Sequence, residues 1–204
     1  VLRPCELRAL IELVKLQQAN LENVILISFD CLGTYELRDY QANQIGATFK
    51  LPEFLKAASL GEMPVASIAG SPSLRLACQM CIQPLPIQAD LYLHFIGVDT
   101  SQGIPVTFKE DEKGAVWVEQ LQLEQTNRLN GAEQQAVEKL ISARREVHQR
   151  ELTAVRSRMI SDGGIASLFT ACIRCHNCMT VCPICYCKTC LFRSTAFNRP
   201  QKPT

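Results

Sequence analysis

The sequence lacks the features that would indicate a membrane, nucleic acid or secretion. Its 204 residues contain no apolar run near the roughly 18 residues that cross a bilayer. The formal net charge of +1 gives no basis for a nucleic-acid partner. The N-terminus has no secretory-signal layout and no initiator methionine, so we expect a fragment or a processed product. We therefore expect no membrane span and no nucleic-acid partner.

Familiar catalytic motifs are also missing, and cysteine is what the chain has in excess. The sequence has no GxGxxG, Walker, HExxH or GxSxG motif, so we assign no catalytic residue. It has eleven cysteines, an odd number. Disulfide scaffolds are usually shorter chains with even counts. Thiolate metal ligands in a reducing compartment explain the count better, and this predicts a cytoplasmic protein.

The pattern of apolar residues predicts an α/β (α+β) fold. Pro4 suits the first turn of a helix that we expect to end near Asn20. The apolar run 24–28 predicts a buried strand, which leads directly into Asp30 and Cys31. Ligands of α/β proteins gather at such strand ends, so this turn is a candidate site.

The rest of the chain predicts one long helix and several short elements. We expect a short helix at 51–59, a strand within 89–98, and a hairpin formed by 106–109 and 115–121. A long amphipathic helix is predicted from Asn130 to Met159. Its apolar stripe consists of Val137, Leu140, Ile141, Val147, Leu152 and Val155.

These elements suggest four regions. An α/β domain with a possible cluster site occupies 1–129, and the long helix occupies 130–164. A helical, ferredoxin-like cluster-binding segment follows at 165–195. The polar tail, 196–204, is expected to be disordered.

The strongest motif is the cysteine run CIRCHNCMTVCPICYCKTC at 172–190. Its first part is C-x2-C-x2-C-x3-C-P, the spacing by which bacterial ferredoxins bind [4Fe–4S] clusters. Zinc sites instead use two C-x2-C pairs with a substantial spacer between them. The pattern therefore predicts cluster ligation by Cys172, Cys175, Cys178 and Cys182.

Three further cysteines extend this run, namely Cys185, Cys187 and Cys190. One cubane needs only four thiolates, so seven cysteines leave two alternatives. A second cluster could use Cys182 with the three extra cysteines, or some of the extra cysteines could cap the first cluster. His176, inside the run, is interpreted as a spacer, and His94 and His148 as structural residues.

Four more cysteines are candidates for a separate site. Cys5 lies at the start of a predicted helix, Cys31 follows a predicted strand, and Cys78 and Cys81 form a C-x2-C pair. Buried free cysteines often serve only as small apolar residues, and this alternative remains open. If the four converge, their sulfurs should lie within about 6–7 Å of one another. Together the cysteines predict one to three [4Fe–4S] clusters.

Several of these motifs in combination resemble a known family. They are RPCELRA at 3–9, DCLGT at 30–34, the Cys78/Cys81 pair and CPICYCKTC at 182–190. They are similar to the β subunits of deazaflavin-dependent hydrogenases and dehydrogenases, especially the formate dehydrogenase β-like branch. The resemblance implies iron–sulfur clusters and a flavin such as FAD. It also implies a subunit that passes electrons between a catalytic subunit and a soluble hydride carrier.

The sequence thus predicts an electron-transfer subunit of a flavin-linked oxidoreductase complex. Its partners would be the catalytic subunit and a soluble electron or hydride carrier. The alternative is a zinc- or cluster-binding structural or assembly module without redox catalysis.

Overall fold

The computed structural model describes residues 1–42, 51–63, 74–109, 112–122, 131–161, 163–173, 175–182 and 185. The described residues form helices and a small three-stranded mixed sheet, so the prediction of a small α/β fold is confirmed. The α-helices are α1 (Pro4–Lys15), α2 (Leu37–Ala42), α3 (Leu51–Ser59), α4 (Leu76–Gln79), α5 (Glu112–Gln120), α6 (Gly131–Ser161) and α7 (Asn177–Thr180). The strands are β1 (Ile27–Phe29), β2 (Leu91–Leu93) and β3 (Val106–Phe108), and 3-10 turns occupy Thr100–Gln102 and Ile165–Phe169.

The sheet has the order β1-β2-β3. β1 pairs in parallel with β2, with Ile27 opposite Leu91, and β2 pairs antiparallel with β3, with Leu91 opposite Phe108. A parallel pair needs a long crossover, and here the connection from β1 to β2 contains α2, α3 and α4. Both parallel strands therefore end at the same edge, where Asp30 and His94 follow them.

Helix α1 begins where Pro4 predicts and ends earlier than Asn20. Its first turn is held by the Glu6 carboxylate, which accepts hydrogen bonds from the backbone N–H and the side chain of Arg3. The last helical residue is Lys15, and Gln17 has a positive φ of 56°. This left-handed residue turns the chain toward β1 before the helix can reach Asn20.

The predicted hairpin is wrong in its second half. Residues 106–109 contain β3, but 115–121 lie largely in α5, and β3 pairs with β2 instead. Gly114 and Val118 are both buried, one helical turn apart, whereas Val116 is 47% exposed. A short apolar run does not separate strand from helix, and here burial follows the helical period.

The long helix predicted for 130–159 is confirmed as α6. Its N-terminal half closes the core, a cluster of Leu32, Ala58, Ile96, Ala136, Val137 and Leu140. Two glycines with positive φ let the neighbouring backbone approach α6. A Cβ on Gly97 would lie 2.5 Å from the Cα of Glu133, and one on Gly61 would overlap the backbone of Ala136. Only a residue without a side chain fits at either contact.

Replacing Gly61 with Ala is expected to lower the free energy of unfolding by about 3 kcal/mol, because left-handed strain adds to overpacking. Urea denaturation of the purified variant measures this difference. Gly163→Ala is the matched control, since Gly163 also has a positive φ but a Cβ there would meet nothing within 4 Å. The control should lose only about 1 kcal/mol. Equal losses in the two variants would contradict the close approach of Gly61 to α6.

The four predicted regions remain predictions, and part of the evidence for them falls outside the described residues. This applies to Asn130 as the helix cap, to the disorder of 196–204, and to Cys187 and Cys190. Within the described ranges, no helix has the length and apolar character needed to span a membrane.

Candidate metal centre

The four cysteines outside the C-terminal run lie at the ends of three different elements. Cys5 is in the first turn of α1, as predicted, and is exposed. Cys31 follows β1 by two residues and is half-buried. Cys78 lies in α4 and Cys81 just beyond that helix, and both are half-buried.

The turn after β1 packs against the loop that carries Cys78 and Cys81. The Cys31 backbone N–H donates to the Pro84 carbonyl at 2.8 Å, and the Arg75 N–H donates to the Thr34 carbonyl at 2.8 Å. The Thr34 hydroxyl lies 3.5 Å from the Cys78 sulfur. We refer below to residues 31–34 and 74–84 as the two cysteine loops. They are distant in sequence and adjacent in the fold.

Gly33 makes this close packing possible. Its φ is 106°, and a Cβ at this position would lie 3.1 Å from the Cys78 Cβ and 3.1 Å from a Leu74 methyl carbon. A larger residue would strain the backbone and press on Cys78. The DCLGT segment therefore supplies both a thiol and the glycine that brings a second thiol near it.

The Cys31 thiol interacts electrostatically with two of the other cysteines. Burial raises its pKa, while the backbone N–H of Gly33 lowers it. Thiolate charge at Cys5 or Cys78 would raise the pKa of Cys31 further, and Arg144 lowers it. Like charges raise a thiol pKa only at short range, so both Cys5 and Cys78 lie within electrostatic range of Cys31.

Arg144 of α6 joins the two cysteine loops. Its side chain is only 1% exposed. Its guanidinium donates to the carbonyls of Cys31 (3.3 Å), Leu32 (2.9 Å) and Cys81 (3.4 Å). Burial lowers the pKa of Arg144, and negative charge on Cys81, Cys31 and Cys78 would raise it. A permanent cation is thus buried against the backbone of Cys31 and Cys81, within electrostatic range of three thiols.

A second buried polar group lies at the same edge of the sheet. The Asp30 carboxylate accepts the backbone N–H groups of Phe95 (3.0 Å) and Ile96 (3.2 Å), and so fixes the turn that precedes Cys31. Its other oxygen is 3.6 Å from His94 Nδ1, and His94 Nε2 is 2.8 Å from the Thr107 hydroxyl. The structural interpretation of His94 agrees with these contacts.

His148, also interpreted as structural, contacts the loop between Cys78 and Cys81. Its Nδ1 lies 3.1 Å from the carbonyl of Met80. His148 and Arg144 are one turn apart on α6, so a single helix contacts both cysteine loops. The sequence interpretation missed Arg144. The available signal was its spacing, since it lies between Leu140 and Val147 on the apolar face of the helix.

The first cysteines of the C-terminal run lie in short turns beyond α6. The Cys172 N–H donates to Phe169, His176 has a φ of 59°, and Cys178 lies in α7. Cys172, Cys175, Cys178 and Cys185 are exposed, and Cys182 is half-buried. Left-handed His176 makes a turn between Cys175 and Cys178, and a turning backbone suits the wrapping of a cluster.

Within the described ranges, no three or more His, Cys, Asp or Glu side chains are placed to hold a metal ion. The predicted convergence of four sulfurs within about 6–7 Å therefore stays a prediction. What the described contacts provide is two cysteine loops joined through their backbone carbonyls to a buried guanidinium. This combination suits an anionic thiolate cluster, because the cation offsets part of the negative charge.

Comparison with known proteins relates the chain to one subunit of an oxidoreductase. No established family model matches the chain. The chain is 27% identical over 212 aligned residues to the F420-dependent formate dehydrogenase 1 subunit beta of Methanococcus maripaludis. The alignment covers 92% of this chain and 54% of the relative, so the chain spans about half the length of the curated relative it matches. The chain is thus distantly related to the formate dehydrogenase β subunits.

Proposed function

We propose that this chain is an iron–sulfur electron-transfer subunit of a flavin-linked oxidoreductase complex. The relationship to a formate dehydrogenase β subunit supports a role as one subunit of such a complex. The observation that carries the proposal is the packing of the two cysteine loops against each other beside Arg144. A purely apolar role for these cysteines gives no reason for a buried cation next to them.

Two groups of cysteines would hold the clusters. Cys172, Cys175, Cys178 and Cys182 form the first group, with Cys185, Cys187 and Cys190 available for capping or for a further cluster. Cys5, Cys31, Cys78 and Cys81 form the second group. A [4Fe–4S] cluster bound by either group would supply single-electron transfer.

The proposed complex must convert one-electron transfer by the clusters into two-electron hydride transfer to the carrier. A hydride carrier takes up two electrons with one proton, so two one-electron steps must be combined before the carrier is reduced. In the proposed complex a flavin performs this step, the catalytic subunit is the electron donor, and a soluble hydride carrier is the acceptor. The contacts described above support the thiol sites and do not bear on FAD. A reducing cytoplasmic setting remains part of the proposal.

Quantitation of iron and acid-labile sulfide in anaerobically purified protein tests the proposal. One to three clusters would give roughly 4 to 12 iron atoms and as many sulfides per chain, with absorbance at about 400 nm. Colourless protein with bound zinc and no sulfide would refute the cluster assignment. That result would support the alternative, a zinc-stabilised structural or assembly module.

A further inference from the structure

Arg144 is a buried cation for which the described part of the chain provides no carboxylate partner. Its hydrogen-bond acceptors are three backbone carbonyls, and its Nε–H has no acceptor. Buried charges in proteins are normally paired, because the loss of hydration is costly. A lone guanidinium in the core therefore indicates that negative charge is to be placed beside it.

We propose that Arg144 is the positioning residue and permanent countercharge of the four-cysteine site, formed by Cys5, Cys31, Cys78 and Cys81. This inference rests on the proposed function, because it assumes that these thiols hold an iron–sulfur cluster. It goes further by assigning a residue that sets the reduction potential of that cluster. Arg144 has this role through charge and backbone contacts and is not itself a ligand.

The first part of the role is to hold the two cysteine loops together. One guanidinium nitrogen is shared between the carbonyls of Cys31 and Cys81, and the other between those of Cys31 and Leu32. These bonds connect Arg144 to Cys31, which lies 113 positions earlier in the sequence, and to Cys81, which lies 63 positions earlier. The planar guanidinium donates in several directions at once, whereas a lysine ammonium is a compact point charge on a flexible stem. Arg144 therefore fixes the spacing of Cys31 and Cys81 before any cluster binds.

The second part is electrostatic. A cluster bound by four thiolates carries net negative charge, and reduction adds one more negative charge. A nearby buried cation stabilises the reduced form more than the oxidised form, since the Coulomb attraction grows with the charge and is weakly screened in the core. Arg144 therefore raises the midpoint potential of this cluster.

Arg3 provides a contrast within the same site. It also interacts electrostatically with Cys5 and Cys31, but its side chain is about one-third exposed and is paired with Glu6. A neighbouring carboxylate and solvent cancel most of its effect on the thiols. The shift in the midpoint potential therefore comes mainly from Arg144 and little of it from Arg3.

The test is an EPR-monitored redox titration of the full chain with all its clusters. The signal of the four-cysteine site is first identified as the one that Cys78→Ser removes. Arg144→Met keeps an unbranched side chain and removes the charge. It should lower the midpoint potential of that signal by the equivalent of at least a tenfold change in the redox equilibrium, about 59 mV for one electron. Arg144→Lys retains the charge, so its midpoint potential should lie within roughly 18 mV of the wild-type value, a twofold change in the redox equilibrium.

Two further variants serve as matched controls. Arg145 is the exposed neighbour of Arg144 on α6, and Arg3 is the paired arginine of the site. Neither Arg145→Met nor Arg3→Met should change the midpoint potential by more than roughly 18 mV. A shift in either control equal to that of Arg144→Met would overturn the assignment, because it would show a general effect of surface charge.

The outcomes separate this inference from the proposed function. If Cys78→Ser removes no signal, the four-cysteine site fails, and the role of Arg144 fails with it. If the signal is lost but Arg144→Met leaves its potential unchanged, only the role of Arg144 is overturned. If Arg144→Met does not fold, Arg144→Gln replaces it, because Gln keeps hydrogen-bond donors and removes the charge. A fall in the midpoint potential of about 59 mV or more then supports the countercharge, and an unchanged midpoint potential refutes it.

Discussion

Replacing Cys175 with Ser is expected to remove one whole cluster, about four iron atoms and four sulfides per chain. Cys175 is the middle ligand of the first three in the ferredoxin-type spacing, and serine is a poor substitute for a thiolate at a soft iron site. The measurement is anaerobic iron and sulfide analysis of the variant and the wild type prepared together. The secondary structure and hydrogen-exchange protection of residues before 161 should be unchanged, because Cys175 lies beyond α6.

Thr180→Ser is the matched control for this variant. It places a serine in the adjacent short helix without removing a thiol, so its iron content should equal that of the wild type. Unchanged iron in Cys175→Ser would show that the run 172–190 does not hold a cluster through its ferredoxin-type spacing. Loss of iron in both variants would show that the segment is merely sensitive to substitution.

Removal of the metal is expected to expose the C-terminal segment while half of α6 stays protected. Ligands brought together by a cluster couple metal binding to local folding. Hydrogen exchange of the apo protein should therefore show protection falling by on the order of 100-fold for residues 165–173 and 175–182. Amides from 134 to 147 should keep their protection, because Val137, Leu140 and Val147 are buried.

Only the first part of α6 is expected to keep its hydrogen-exchange protection after the metal is removed. Leu152 is 44% exposed and Ile160 is 85% exposed, so the end of the helix lacks the apolar contacts of its beginning. We expect an intermediate loss of protection after residue 150. The Cys175→Ser variant is the matched control, since it should already exchange rapidly at 165–173 before chelation. Equal protection of 134–147 and 165–173 in the apo protein would contradict the coupling.

Local patterns in the sequence predicted the elements that position the thiols. Pro4 placed Cys5 in the first turn of α1, and the apolar run 24–28 led correctly to a strand that ends two residues before Cys31. The C-x2-C pair and the ferredoxin-type spacing are likewise local signals. The predicted strands were longer than those observed, because β1 and β2 have three residues each and the flanking apolar residues continue as loops.

The sequence-based predictions failed or were incomplete where a residue's position depends on contacts with distant parts of the folded chain. Residues 115–121 form part of a helix because Gly114 and Val118 bury together, which the short apolar run could not reveal. The stripe predicted for α6 included Leu152, yet the described core reaches only as far as Val147. Arg144 was assigned to no site because an arginine in a charged helix is normally solvated. Its burial depends on Cys31 and Cys81, which are distant in sequence.

The contacts of Arg144 also impose an order on synthesis. A ribosome makes Cys31 113 residues before it makes Arg144. At typical rates of elongation this interval is on the order of 10 s. For the last 63 residues of that interval the nascent chain carries its first four cysteines without Arg144, which joins their loops. The backbone hydrogen bonds between the two cysteine loops can form in that interval, but their bonds to Arg144 must wait until α6 has been translated. Cluster delivery timed after that point avoids capture of metal by misplaced thiols.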